Sequence, residues 1–134
     1  MMDAKCDTWD GHSVTAANVD LRIANNVTWM DAFQFGYPND TTWTLQGQSF
    51  KLDVQRDQYD TTPLLTLSTS DGRIIVDDVL QRVIHFNVAP ADIQTALSPG
   101  TYVYDLVMFD GSGNSVGMMY GTLEVVQGVT YPTP

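Results

Sequence analysis

The chain has little cysteine, little base and almost no glutamate. Cys6 is its single cysteine, so an intrachain disulfide cannot form and a disulfide-stapled secreted scaffold is excluded. Six basic residues against sixteen acidic ones leave a formal charge of −10. Nucleic acid and anionic membrane surfaces call for clustered Lys and Arg, so neither is expected as a partner. Glutamate occurs once, as Glu124, and the other acids are all Asp. Asp is a poor helix former that favours turns and caps, which places the negative charge at loops and strand ends. No apolar run approaches the ~20 residues of a membrane span. The opening Met-Met-Asp-Ala-Lys-Cys-Asp has no basic region followed by an apolar one, so the expectation is cytoplasmic synthesis without a cleavable export signal.

What is present is β-sheet patterning. A chain of 134 residues suits one two-layer domain. Leu97-Ser98-Pro99-Gly100 opens an aromatic and β-branched run, Thr101 to Phe109, that Asp110-Gly111 closes; such side chains suit a pleated, half-buried surface between two turns. Val19, Leu21 and Ile23 alternate with polar or small residues, and Asn25-Asn26 is a turn signal. Val27, Trp29, Asp31, Phe33 and Phe35 share one face of the next strand, with Asp31 the anomaly. Phe50, Leu52 and Val54 alternate with Lys51, Asp53 and Gln55 after an interruption at Gly47-Gln48. Leu64 to Thr69 and Arg73 to Asp77 read as a hairpin across Ser70-Asp71-Gly72. Val83 to Val88 follows, then a short helix from Pro90 that crosses between sheets. The last pair is Tyr102 to Phe109 with Ser115 to Val126. The expectation is an all-β, immunoglobulin-like β-sandwich of seven to eight antiparallel strands with one short helical crossover. Residues 1–18 lack either period and read as an N-terminal arm, 19–130 as the sandwich, and 131–134 as an extended tail.

Residues able to carry chemistry are few. Asp110-Gly111-Ser112-Gly113-Asn114 spaces oxygens like a calcium loop, but Ser115 and Gly121 stand where such a loop needs Gly and Glu, so it reads as a hairpin turn. Asp57, Asp60, Asp77 and Asp78 read as solvated strand ends, and His85 as a strand residue facing away from Ile84 and Phe86. Cys6 and His12 read as incidental, and at least one of Met118 and Met119 as ordinary core rather than adaptable contact surface. No nucleophile elbow, phosphate loop or zinc spacing occurs. Catalytic residues, cofactor and metal are therefore expected to be none, and the chain is not expected to be an enzyme.

The order Phe33-Gln34-Phe35-Gly36, Leu45 to Arg56, Asp71-Gly72-Arg73-Ile74, Leu97 to Leu106, Gly121-Thr122-Leu123-Glu124-Val125 and Gly128-Val129-Thr130 resembles the immunoglobulin-like domain of tailed-phage baseplate upper proteins. Small phage virion proteins of the same type are similar. The likeness runs over about residues 27–130 and is most specific in Pro-Gly-x-Tyr-x-Tyr-Asp-Leu and Gly-x-Leu-x-Val. It implies a virion structural protein, made in the host cytoplasm, that docks on the tail, baseplate or neck as an adaptor for fibres or receptor-binding proteins. The implied partners are other virion proteins and further copies of the chain, a trimer by analogy with fibre-carrying assemblies. Baseplate upper proteins continue into long fibre-bearing regions, whereas this sequence reaches Pro134 without one, so a capsid decoration protein is the alternative. A carbohydrate-binding module is the alternative from another class, with Trp9, Trp29, Trp43 or Tyr residues stacking on sugar. For docking, Trp9 in the arm and Tyr131 and Pro132 in the tail are the candidate partner-binding residues.

Overall fold

Alternating side chains along each strand build two sheets whose apolar faces meet. The computed structural model describes residues 16–130 and the backbone of Met2–Ala4. The described elements in chain order are β1 Met2–Ala4, β2 Ala17–Asn18, β3 Leu21–Ala24, β4 Ala32–Phe35, β5 Ser49–Gln55, β6 Leu65–Ser68, β7 Ile74–Asp78, β8 Val83–Phe86, α1 Pro90–Ala96, β9 Gly100–Phe109 and β10 Ser115–Val126. The smaller sheet runs β1-β4-β8-β7 and the larger β2-β10-β9-β5-β6, with β3 also on β10. This is the all-β, immunoglobulin-like sandwich expected from the sequence.

The core lies between the two inner faces. Phe33, Phe35, Ile74, Ile84 and Phe86 from the smaller sheet meet Phe50, Leu52, Val54, Leu106 and Met108 from the larger, all buried. Phe35 stacks on Phe50 across the layers at 5.9 Å between centroids, and Trp29 meets Phe86 edge-on at 5.1 Å. Asp31 is explained by that tryptophan: its carboxylate accepts the Trp29 indole N–H at 3.0 Å. Trp29 is joined to Val88 by a single bridge and regular strand begins only at Ala32, so Val27 is exposed rather than part of the inward face. Helix α1 begins on Pro90, buries Ile93 and carries the chain from the smaller sheet to the larger, the crossover that the sequence implied.

Two arrangements differ from the sequence expectation. Leu65–Ser68 and Ile74–Asp78 do not form a hairpin: β6 pairs with β5 in the larger sheet and β7 with β8 in the smaller. The Asp71 carboxylate accepts the main-chain N–H groups of both Ser68 and Arg73, and Gly72 takes a φ of +81°. Turn chemistry fixes a local reversal, but it does not choose the sheet that receives the next strand. Not every pairing is antiparallel, since β1 runs parallel to β4, and β2 and β3 run parallel to β10. The segment read as an arm accordingly begins and ends in strands of the sandwich. The expected burial in the Met118-Met119 pair extends to both residues, because a bulge between Gly117 and Met119 breaks the alternation of β10.

Two features hold the ends of the sandwich. Tyr104, 4% exposed, donates its hydroxyl to the Val19 carbonyl, and Tyr102 donates to the Ser98 carbonyl at 2.6 Å, four residues upstream. Burial pushes the Tyr104 hydroxyl well above its ordinary pKa, with the charges of Asp20 and Asp31 adding to the shift. At the opposite layer Arg82 is fully buried with φ +59°. Its Nε donates to the Phe35 carbonyl at 2.8 Å, Nη1 lies 2.7–3.1 Å from those of Asp40, Trp43 and Leu80, and Nη2 donates to Tyr37 at 2.6 Å. The guanidinium also sits 5.2 Å from the Trp43 ring centroid. It thereby pins residues 36–44 to the turn that enters β8.

Candidate functional site

Register across the larger sheet gathers polar groups on its outer face. Thr66 lies opposite Asp53, Asp53 opposite Asp105, Asp105 opposite Tyr120, and Tyr120 opposite Asn18. Cross-strand partners point to the same side, so these five residues form one row over β6, β5, β9, β10 and β2. The adjacent row is Gln55, Val103 and Thr122. All of these except Thr66, together with Asp20 and Gln58, line a cleft of about 560 Å³.

The carboxylates of the cleft are held in different ways. Asp53 accepts the Thr66 hydroxyl at 2.6 Å, and Lys51 approaches its other oxygen at 3.9 Å. Asp20 accepts both the main-chain N–H and the hydroxyl of Thr122, each at 3.0 Å. Asp105 faces Asp53 directly. Partial burial, followed by the Asp53 charge, raises its pKa above the usual carboxylate value. Like charges directly opposite each other destabilise a sheet, so this pair is not placed there for stability. Tyr120, 48% exposed, stands in the same row with its ring beside the acids.

Gly121 is what lets this corner close. Its φ is +156°, and a Cβ there would come within 2.4 Å of the Val19 carbonyl oxygen. The missing side chain admits the Val19–Asp20 backbone between β2 and β3, which positions Asp20 at the cleft and offers the Val19 carbonyl to Tyr104. Sequence reasoning marked Gly121 as part of a motif without seeing that purpose.

The other candidate residues are dispersed. Asp110 accepts main-chain N–H groups of Ser112 and Asn114 and the Asn114 side-chain amide, bonds that hold its pKa low and close the β9–β10 hairpin. Asp57, Asp60 and Asp78 each accept main-chain N–H groups in their own turns. His85 lies on the outer face of the smaller sheet with Nδ1 2.7 Å from Asp77. Trp29 and Trp43 are 2% and 5% exposed, so neither offers a face to a sugar. Trp9, Tyr131, Pro132, Cys6 and His12 lie outside the described residues. Asp53, Asp105 and Tyr120 were the residues missed. Alternation alone put each on a wet face, but only the β5–β9–β10 register brings them together.

The fold and this surface define a β-sandwich of the immunoglobulin-like class whose larger sheet carries a polar cleft. Among solved structures, CopC from Methylosinus trichosporium OB3b is similar at 10% identity and a TM-score of 0.44, covering 83% of this chain and 87% of that one. Drosophila OTK extracellular domains 3–5 are similar at 14% identity and a TM-score of 0.35, covering 80% of this chain and 33% of that one. No family model and no curated protein matches the chain.

Proposed function

We propose that the chain is a non-enzymatic binding module of a tailed-phage particle, docking on the tail, baseplate or neck as an adaptor for fibres or receptor-binding proteins. The observation that carries the reading is the relation between its two most specific sequence segments. Leu97–Leu106 and Gly121–Val125 fall on the two arms of the β9–β10 hairpin, where Tyr102 lies opposite Leu123 and Tyr104 opposite Gly121. The Tyr102 hydroxyl closes on Ser98 and Gly121 opens the gap that Tyr104 bonds across. The motif residues thus form one structural unit, and the resemblance of that unit to the phage domains is what supports the reading.

Docking in this proposal uses sheet edges. Among the described residues, β6 pairs with β5 and β7 with β8, and each leaves its other edge open. An extended segment of a neighbouring virion protein can add a strand there. Cryo-electron microscopy of intact particles from the encoding phage tests the reading. Sandwich-sized density at the tail, baseplate or neck is the expected result. The same density spread over the capsid replaces the adaptor role with decoration, and homogeneous particles that lack the chain overturn the proposal.

A further inference from the structure

We infer that the cleft on the outer face of the larger sheet is a binding site for a neutral, polyhydroxylated ligand, a short oligosaccharide. Its volume of about 560 Å³ falls in the range of small-molecule sites, roughly 300–1,000 Å³. The chemistry of its lining selects the class. Asp20, Asp53 and Asp105 offer only acceptors, whereas the amides of Asn18, Gln55 and Gln58 both donate and accept. Tyr120 adds a half-exposed ring in the same row as Asp53 and Asp105.

Other ligand classes use only part of that lining. An anion is repelled by three carboxylates. An ammonium or guanidinium group pairs with the carboxylates but has no acceptor, so it leaves the amide N–H groups of Asn18, Gln55 and Gln58 to water. No cluster of three metal-ligating side chains occurs among the described residues, and one oxygen each of Asp20 and Asp53 is already committed to Thr122 and Thr66. Those same bonds fix the two carboxylates in place, and Lys51 lies 3.9 Å from the second oxygen of Asp53. A sugar hydroxyl donates to a carboxylate and accepts from an amide, and the C–H face of a pyranose ring covers the Tyr120 ring. Hydroxyl donors would also serve Asp105, which faces Asp53 across the sheet, whereas Asp53 already has Thr66 and Lys51. The inference goes beyond the virion reading and stands or falls independently of it, since it concerns what the free protein binds.

The test is a ¹⁵N–¹H NMR titration of the full chain with maltotriose, cellotriose and chitotriose, each to about 10 mM, a ceiling set by the weak binding one aromatic platform supports. Trigalacturonate and spermidine are the anionic and cationic controls. At least one neutral trisaccharide is expected to shift the amides of Asp53, Asp105, Tyr120 and Thr122 with saturation. Tyr120→Ala is expected to weaken that binding about threefold to tenfold, and Tyr120→Phe to retain it. Tyr37→Ala, at an exposed ring outside the cleft, is expected to leave it unchanged. The inference is overturned if none of the three sugars shifts the cleft, if Tyr120→Ala titrates like the parent, or if spermidine shifts these amides where the sugars do not.

Discussion

Replacing Arg82 by Met removes a buried cation while keeping much of its length, and the structure sets the cost. The guanidinium serves the carbonyls of Phe35, Tyr37, Asp40, Trp43 and Leu80. The bonds to Phe35 and Trp43 are wholly buried, and each stranded acceptor costs about 1–3 kcal/mol. The other three are part-buried, so water replaces the lost donor at about 0.5–1.5 kcal/mol each. Against this, Met is spared the desolvation of a charge, which in other cores makes such a swap nearly neutral. That compensation is incomplete here, because the partners are fixed main-chain oxygens that cannot be mutated away with the cation. A net loss of about 2–5 kcal/mol is expected, a large share of a typical domain's stability of ~5–15 kcal/mol. Arg82→Lys, with three donors instead of five, should fall between Met and the parent. Urea denaturation gives the free energies. Hydrogen exchange at Leu45, whose N–H donates to Val79, shows whether the pinned loop loosens first. A Met variant within about 1 kcal/mol of the parent, with Leu45 still protected, would refute the account of Arg82 as the pin of residues 36–44.

Tyr104→Ala should cost about 3–5 kcal/mol in the same assay, and Tyr102→Phe only about 0.5–1.5 kcal/mol, because Tyr102 keeps its packing and loses one bond; a reversed order sinks the assignment. Asp105 has a raised pKa in the fold, so its contribution favours folding below its ordinary value of 3.8 and is lost as pH rises through the folded value. Asp105→Asn should therefore stabilise the protein by about 0.2–1 kcal/mol at neutral pH and have no effect in acid. A gain that grows on acidification contradicts the sign. Gly121→Ala, forced against the Val19 carbonyl, should destabilise by about 1–3 kcal/mol or more, whereas Gly47→Ala meets no atom within 4 Å and suffers only from its positive φ; equal costs would mean the close approach is unimportant. With a formal charge of −10, the protein should leave the anisotropy of a labelled DNA duplex unchanged at physiological salt, and salt-sensitive micromolar binding would overturn that expectation.

Strands with one dry face were legible from residues alone. Phe50, Leu52 and Val54 announced β5, and Pro99-Gly100 with Asp110-Gly111 bracketed β9, because side-chain period and turn chemistry are local properties. The partners of those strands were not legible. Ser70-Asp71-Gly72 looked like a hairpin and joins two sheets, since the neighbour of a strand is decided by contacts from elsewhere in the chain. The cleft was hidden for the same reason: Asp53 and Asp105 are unremarkable until β5 and β9 align them. Arg82 gave no signal at all. A single Arg between Gln81 and Val83 reads as a solvated strand start, and neither its left-handed backbone nor the five carbonyls around it can be inferred from neighbours in sequence.

The parallel seat of β3 on β10, with Leu21 opposite Leu123 and Ala24 opposite Val126, also sets an order of events during synthesis. Residues of β3 have as their partner the last of the described strands to emerge, so the larger sheet cannot take in β3 until β10 has been made. Until then β3 presents Leu21 and Ile23 without their strand, a state open to mispairing with other nascent chains. Emergence of β10 is the step that ends that exposure, and the long sequence separation of the contact makes this closing step slow compared with forming the β9–β10 hairpin itself.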